Sequence, residues 1–156
     1  MTLGRVKSWD SDRFRLALQD RQLTHVEFAN QLGVNRRVVK GWAMGQMVPS
    51  VQRLPEIVER LGVSPFWLFG KTEDEADLVD LRVVRGLNLK EVSEKTGCGY
   101  FHLYDAESGM KLPSDEACGA LAECYQVSKS RVYAAWIMSR IENYGRESLK
   151  LPREES

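Results

Sequence analysis

Leu23-Thr24-His25-Val26-Glu27-Phe28-Ala29-Asn30-Gln31-Leu32-Gly33-Val34-Asn35-Arg36-Arg37-Val38-Val39-Lys40-Gly41-Trp42-Ala43-Met44-Gly45 is the stretch from which the rest of the chain is most easily understood. Thr24 followed three residues later by Glu27 is a capping-box spacing, which satisfies the free N–H groups of a helix start. Phe28, Ala29 and Leu32 then fall on one side of a helix barely two turns long, and Gly33 supplies the left-handed residue that ends it. Asn35 caps a second helix, in which Val39 and Trp42 face inward at i and i+3, and Gly45 stops it.

Working outward, Phe14, Ala17, Leu18 and Arg21 give an opening helix, and Leu54, Ile57, Val58 and Leu61 give a third amphipathic stripe. An interior proline costs roughly 3 kcal/mol, so that stripe's helix is expected to begin at Pro55. Ser64 and Pro65 cap a last short helix through Phe69. None of these segments has the two-residue alternation of a strand, so the expected class is all-α.

The chain has 156 residues, which allows one ordinary domain or two small ones and excludes a large multidomain enzyme. Its 22 basic and 22 acidic residues are unevenly placed. Residues 1–70 carry ten basic against six acidic, net +4; residues 71–136 carry eight against twelve, net −4; residues 137–156 balance. A basic first half suits contact with a polyanion. The cysteines Cys98, Cys118 and Cys124 form no CxxC pair, so neither a disulfide framework nor a zinc site is expected, and no cofactor is implied. The opening residues lack a signal-peptide core and no apolar run approaches 18 residues, so a cytoplasmic protein is the expectation. Two histidines, no Gly-rich phosphate loop and no nucleophile beside a base argue against an enzyme.

Shifting the sequence by 64 residues superposes 23–64 on 87–128 without a gap, with nine of 42 positions identical. The identities are Leu23/Leu87, Glu27/Glu91, Gly33/Gly97, Gly45/Gly109, Pro49/Pro113, Ser50/Ser114, Glu59/Glu123, Val63/Val127 and Ser64/Ser128. Most are cap and turn residues, which fix where helices start and stop. The second copy would run from Leu78 and Leu81 through Asn88, Val92, Leu103, Cys118, Leu121, Ala122 and Tyr125. There Ser93 and Thr96 replace Ala29 and Leu32, so two inward hydroxyls must bond backbone carbonyls. The expected division is 1–70, a polar linker at 71–77, a second domain at 78–145 and a disordered tail at 146–156.

A two-turn helix, a glycine turn and a second helix with a polar start make a helix-turn-helix arrangement. The stretch from Leu23 to Gly45, with Pro49-Ser50 after it, resembles the Cro and phage-repressor (Xre) family. Thr24, Ala29, Gly33, Val39, Trp42, Gly45 and Pro49-Ser50 stand where that family's pattern expects them. The resemblance spans 12–69 and, more weakly, 78–128. His25 stands where the family commonly has Gln, and Pro55 where it has a helix interior. The resemblance implies two tandem five-helix lambda-repressor-like domains, the second lengthened by a C-terminal helix, in a bacterial or phage transcriptional regulator that binds double-stranded DNA.

With Val39 inward at 100° per residue, Arg37, Lys40, Gly41 and Met44 point outward, flanked by Arg36 and by the cap Asn35. Arg bonds two guanine acceptors at once and Lys reaches a guanine or a phosphate, so this start suits the major groove. At Gly41 the missing side chain leaves room for backbone to approach the duplex. His25, at the start of the preceding helix, can donate to a phosphate, or stand exposed and inert. Arg5 and Lys7 form a possible arm, and Arg53 is a further phosphate candidate.

The second copy has Gly99, Tyr100, Phe101, Tyr104 and Asp105 where the first has Asn35, Arg36, Arg37, Lys40 and Gly41. An acid and three aromatics do not suit a phosphate-lined groove, and exposed aromatics mark a contact surface. A helix from Ser128 or Ser130 to Tyr144, carrying Tyr133, Trp136, Ile137, Ile141 and Tyr144, either covers that face or forms a homodimer; operator-binding proteins of this architecture favour the dimer. Two alternatives stand beside this reading: an antitoxin or anti-regulator whose second domain grips a partner protein, with DNA binding only autoregulatory, and a tandem reader with both domains on DNA.

Overall fold

The computed structural model describes residues 6–149, and among them ten α-helices and no strand are found. The chain divides into two compact units. One takes in the chain through Glu73 together with Val83–Asn88; the other takes in Asp74–Arg82 and the chain from Leu89 onward.

The first unit holds α1 (Ser11–Asp20), α2 (His25–Leu32), α3 (Arg36–Ala43), α4 (Leu54–Leu61) and α5 (Pro65–Leu68), with a 3-10 turn at Val51–Arg53 leading into α4. The boundaries follow the caps. Thr24 Oγ1 accepts from Glu27 N at 3.1 Å and donates to the Glu27 carboxylate at 3.0 Å, so the box closes through the hydroxyl. Asn35 Oδ1 accepts from Arg37 N at 2.9 Å. Gly33 ends α2 in the left-handed conformation at φ 69°. Pro55 sits in the first turn of α4, whose helix starts one residue earlier than expected.

The core of this unit is aromatic. Phe14 of α1 meets Phe28 of α2 edge-on at 5.7 Å and Trp42 of α3 at 6.3 Å, and Trp9 lies 4.9 Å from Phe14. Such pairs add about 0.5–1.5 kcal/mol each beyond the area they bury. Trp9 also donates its Nε1–H to the Trp42 carbonyl at 3.0 Å, and Val6 is fully buried with its N–H on Pro49 O at 3.0 Å. The leading segment is therefore packed from Val6 onward rather than a free arm. Lys7 sits in the turn between Val6 and Trp9, and Arg5 lies outside the described residues.

Three arginines of the first unit close helix ends elsewhere in it. Arg15 Nη1 donates to Ala43 O at the end of α3 at 2.5 Å, and Arg13 Nη1 to Trp67 O in α5 at 3.1 Å. Arg21 Nε donates to Leu61 O at the end of α4 at 2.9 Å. Each places a cation at the partially negative end of a helix, where carbonyls lack partners.

The second unit holds most of α6 (Leu78–Val83), then α7 (Leu89–Thr96), α8 (Tyr100–Glu107), α9 (Asp115–Tyr125) and α10 (Lys129–Tyr144). Left-handed residues recur at the 64-residue offset: Gly33 and Gly97, Gly45 and Gly109, Gly62 and Gln126. The two inward hydroxyls bond carbonyls as expected, Ser93 Oγ to Cys98 O at 2.6 Å and Thr96 Oγ1 to Val92 O at 2.8 Å.

The segment expected as a loose linker is ordered. Glu73–Glu75 forms a 3-10 turn, Ala76 and Asp77 are buried, and Asp77 and Asp80 each accept the other's backbone N–H, at 2.8 and 3.1 Å. Within this unit, Arg82 meets Glu107 through two hydrogen bonds, Nε–Oε2 at 2.7 Å and Nη2–Oε1 at 3.1 Å, with both side chains buried. α10 turns Val132, Ala135 and Ser139 inward. Ser139 Oγ accepts from Leu78 N at 3.2 Å and so caps α6. Beyond α10, Arg146–Leu149 forms a 3-10 turn where a disordered tail was expected; the rest of that tail is outside the described residues.

Candidate nucleic-acid interface

α2 and α3 pack against each other through Phe28, Ala29 and Leu32 on one side and Val39 and Trp42 on the other, all buried. That leaves the start of α3 facing out. Arg36, Arg37 and Lys40 are exposed, and among the described residues none lies within ion-pair distance of a carboxylate. Together with Thr24, His25 and Val26 of the α2 start they line a cleft of about 570 Å³. The structure thus brings together four of the expected residues: His25, Arg36 and Arg37 at the N-terminal ends of two helices, and Lys40 one turn further along α3. Unsatisfied N–H groups there add to the positive field.

Asn35 is exposed, with its Oδ1 committed to the cap of α3. Met44, the C-cap of α3, is 54% exposed. Gly41 departs from the expected outward direction. It is buried, and a Cβ placed there would lie 2.8 Å from Met47 Sδ, so a thioether rather than solvent covers the helix backbone at that point. Met47 follows the stop at Gly45 in a loop that folds back, with Met47 N donating to Gly41 O at 3.1 Å; a helical wheel ending at Gly45 does not contain it. Arg53 is half-buried in the turn before α4 and does not line the cleft.

The aromatic residues of the second unit divide. Phe101 is 80% exposed, with Tyr100 against it edge-on at 5.6 Å. Tyr104 is half-buried rather than outward-facing. On α10, Tyr133 donates to Asp115 Oδ1 at 3.1 Å and Trp136 Nε1 to Lys111 O at 2.9 Å, so their polar ends are used within the unit. Ile141 is half-buried, Ile137 and Tyr144 are exposed, and the Arg140 guanidinium lies 4.2 Å from the Tyr144 ring centre. The hydrogen bond to Asp115 pushes the Tyr133 phenol up to about 12. The same carboxyl is held below its usual range, first by its hydrogen bond with Lys129, at 2.7 Å, and then by Tyr133.

No helix among the described residues is long and apolar enough to cross a membrane, and none of their His, Cys, Asp and Glu side chains gather in threes that could hold a metal ion. No curated protein and no solved structure matches the chain. Residues 14–68 match the sequence profile of the family described as Helix-turn-helix, and those residues contain most of α1, all of α2 to α5, the core aromatics Phe14, Phe28 and Trp42, and the cationic cleft. The stretch from Phe14 to Leu68 is accordingly a helix-turn-helix domain of the Xre type.

Proposed function

We propose that the protein is a sequence-specific transcriptional regulator that lays α3 in the major groove of double-stranded DNA. Arg37 and Lys40 read base edges, while Arg36 and His25 hold phosphates on either side. The observation that carries this reading is the unpaired cationic start of α3, set in the matched helix-turn-helix domain. Exposed cations repel one another and gain most by meeting a phosphate backbone. Selection of bound sites from random duplex DNA tests it: recovered sites should share a half-site, and the Arg37→Ala variant should lose the preference at one or two positions. A pool that shows no enriched sequence at moderate salt overturns the proposal.

The second unit reads as a diverged copy of the first that assembles the protein, as a homodimer or with a partner protein. Phe101, standing 80% exposed where the first copy has Arg37, favours this over a second DNA reader. Light scattering on Phe101→Ala checks it, with a fall in mass at unchanged helicity as the expected result.

A further inference from the structure

Met47 fills the groove beside Gly41 in the first unit, its sulfur lying against the α3 backbone. Sixty-four residues later these positions are Asp105 and Lys111. Neither can reproduce that filling: Asp105 brings a carboxylate to the helix side, and Lys111 is a chain whose charged end seeks solvent. The result is a cavity of about 500 Å³ in the second unit, within the range of small-molecule sites. Leu112 gives it an apolar wall, and Cys98, His102, Asp105, Lys111 and Glu116 line the rest.

The lining is of both signs, yet the charges do not satisfy one another. Among the described residues, the side chains of His102, Asp105, Lys111 and Glu116 make no hydrogen bond or ion pair, so Lys111 is beyond 4.0 Å from either carboxylate. A ligand with charge of one sign would meet both attraction and repulsion from such a lining. A small molecule with an ammonium and a carboxylate offers each sign a partner. We propose that this cavity binds a small zwitterion of the free amino acid class, its ammonium toward Asp105 and Glu116, its carboxylate on Lys111, and its side chain against Leu112.

The cavity wall is also tied to the long last helix. Trp136 Nε1 donates to Lys111 O and Arg140 Nη1 to Gly109 O, each at 2.9 Å, so a ligand that grips Lys111 bears on the segment α10 holds. This site goes beyond DNA reading and does not depend on it.

The test is an amide NMR titration of the full chain, without DNA, using each of the twenty free amino acids, with succinate and putrescine as single-sign probes. At least one amino acid is expected to shift the amides of 97–99 and 111–117 at millimolar concentration. Lys111→Met and Glu116→Gln, both at exposed positions, should each weaken it about tenfold or more, the scale of one lost charged contact, with amide shifts elsewhere unchanged. No response to any amino acid overturns the proposal. So does equal binding of succinate or putrescine alone, or an affinity that both variants leave intact.

Discussion

Six cations of the first unit carry the same formal charge and are expected to behave in two different ways. Arg36, Arg37 and Lys40 are exposed without an ion partner among the described residues, whereas Arg13, Arg15 and Arg21 close the carbonyl ends of α5, α3 and α4. On a mixed-sequence duplex, bound without base readout, Arg36, Arg37 and Lys40 all meet phosphates; each such contact steepens the fall of log K with log salt by about 0.9, so substituting the three together by Ala should flatten the slope by about 2.7. Over a fourfold range of salt that is about a 40-fold loss of salt sensitivity. Arg21→Met removes one positive charge, as each of those three substitutions does, but should leave the slope within error. It costs instead a charge-assisted hydrogen bond to Leu61 O; discounted for its partial exposure, that is about 1 kcal/mol, or a fall in Tm of about 4–8 °C. Fluorescence anisotropy with a labelled mixed-sequence duplex between 50 and 200 mM salt gives the slopes, and urea melts give the stabilities. The division of labour is refuted if Arg21→Met flattens the slope as much as Lys40→Ala does while the melt stays unchanged.

Other expectations concern the second unit. Arg82→Met removes the buried guanidinium that pairs with the Glu107 carboxylate and should cost about 3–5 kcal/mol in a urea melt, while Arg82→Met with Glu107→Leu should recover most of it. Gly109→Ala should destabilise strongly: the position holds φ +75° and a Cβ there would lie 2.6 Å from the Arg140 Cα, so a melt close to that of the parent would show that α10 does not press on this turn. The neutral Tyr133 phenol is the form the Asp115 hydrogen bond stabilises. That stabilisation is present below the ordinary tyrosine value near 10 and is lost as pH rises through about 12; the Asp115 share is present above its ordinary carboxyl range and lost as pH falls through its lowered value. In a titration at 295 nm, Asp115→Asn should therefore move one of the five tyrosines to an earlier pH; an unchanged curve argues against that bond.

Much of this could be seen in the sequence, because helix ends are chemically marked. Thr24, Asn35, Ser64 and Ser128 cap helices where their spacing places them, and Gly33 and Gly97 turn left-handed where the periodicity breaks. The cationic start of α3 followed from one inward direction, that of Val39. What escaped were contacts between residues far apart in the chain. Nothing local says that Trp9 reaches Trp42, or that Ser139 caps a helix 61 residues earlier. Charge counting does not resolve how each cation is used: Arg13, Arg15 and Arg21 belong to the basic excess of residues 1–70, and each donates to a backbone carbonyl within the first unit. Gly41 was misplaced because Met47, beyond the helix, folds back over it. Asp77 was taken for part of a polar connector because an acid there looks solvent-facing, but its reciprocal bonds with Asp80 make it a buried helix start.

The turn glycines at the shared register also set a limit on grafting. A Cβ at Gly45 would meet only the Ser11 side chain, at 3.3 Å, while one at Gly109 would strike the main chain of Arg140. The same corner is thus filled by the chain's opening helix in one unit and by its closing helix in the other. A chimera that transplants the C-terminal extension onto the first unit would have to evict Ser11 first, and with it the helix whose Arg13 and Arg15 bond the carbonyls of α5 and α3.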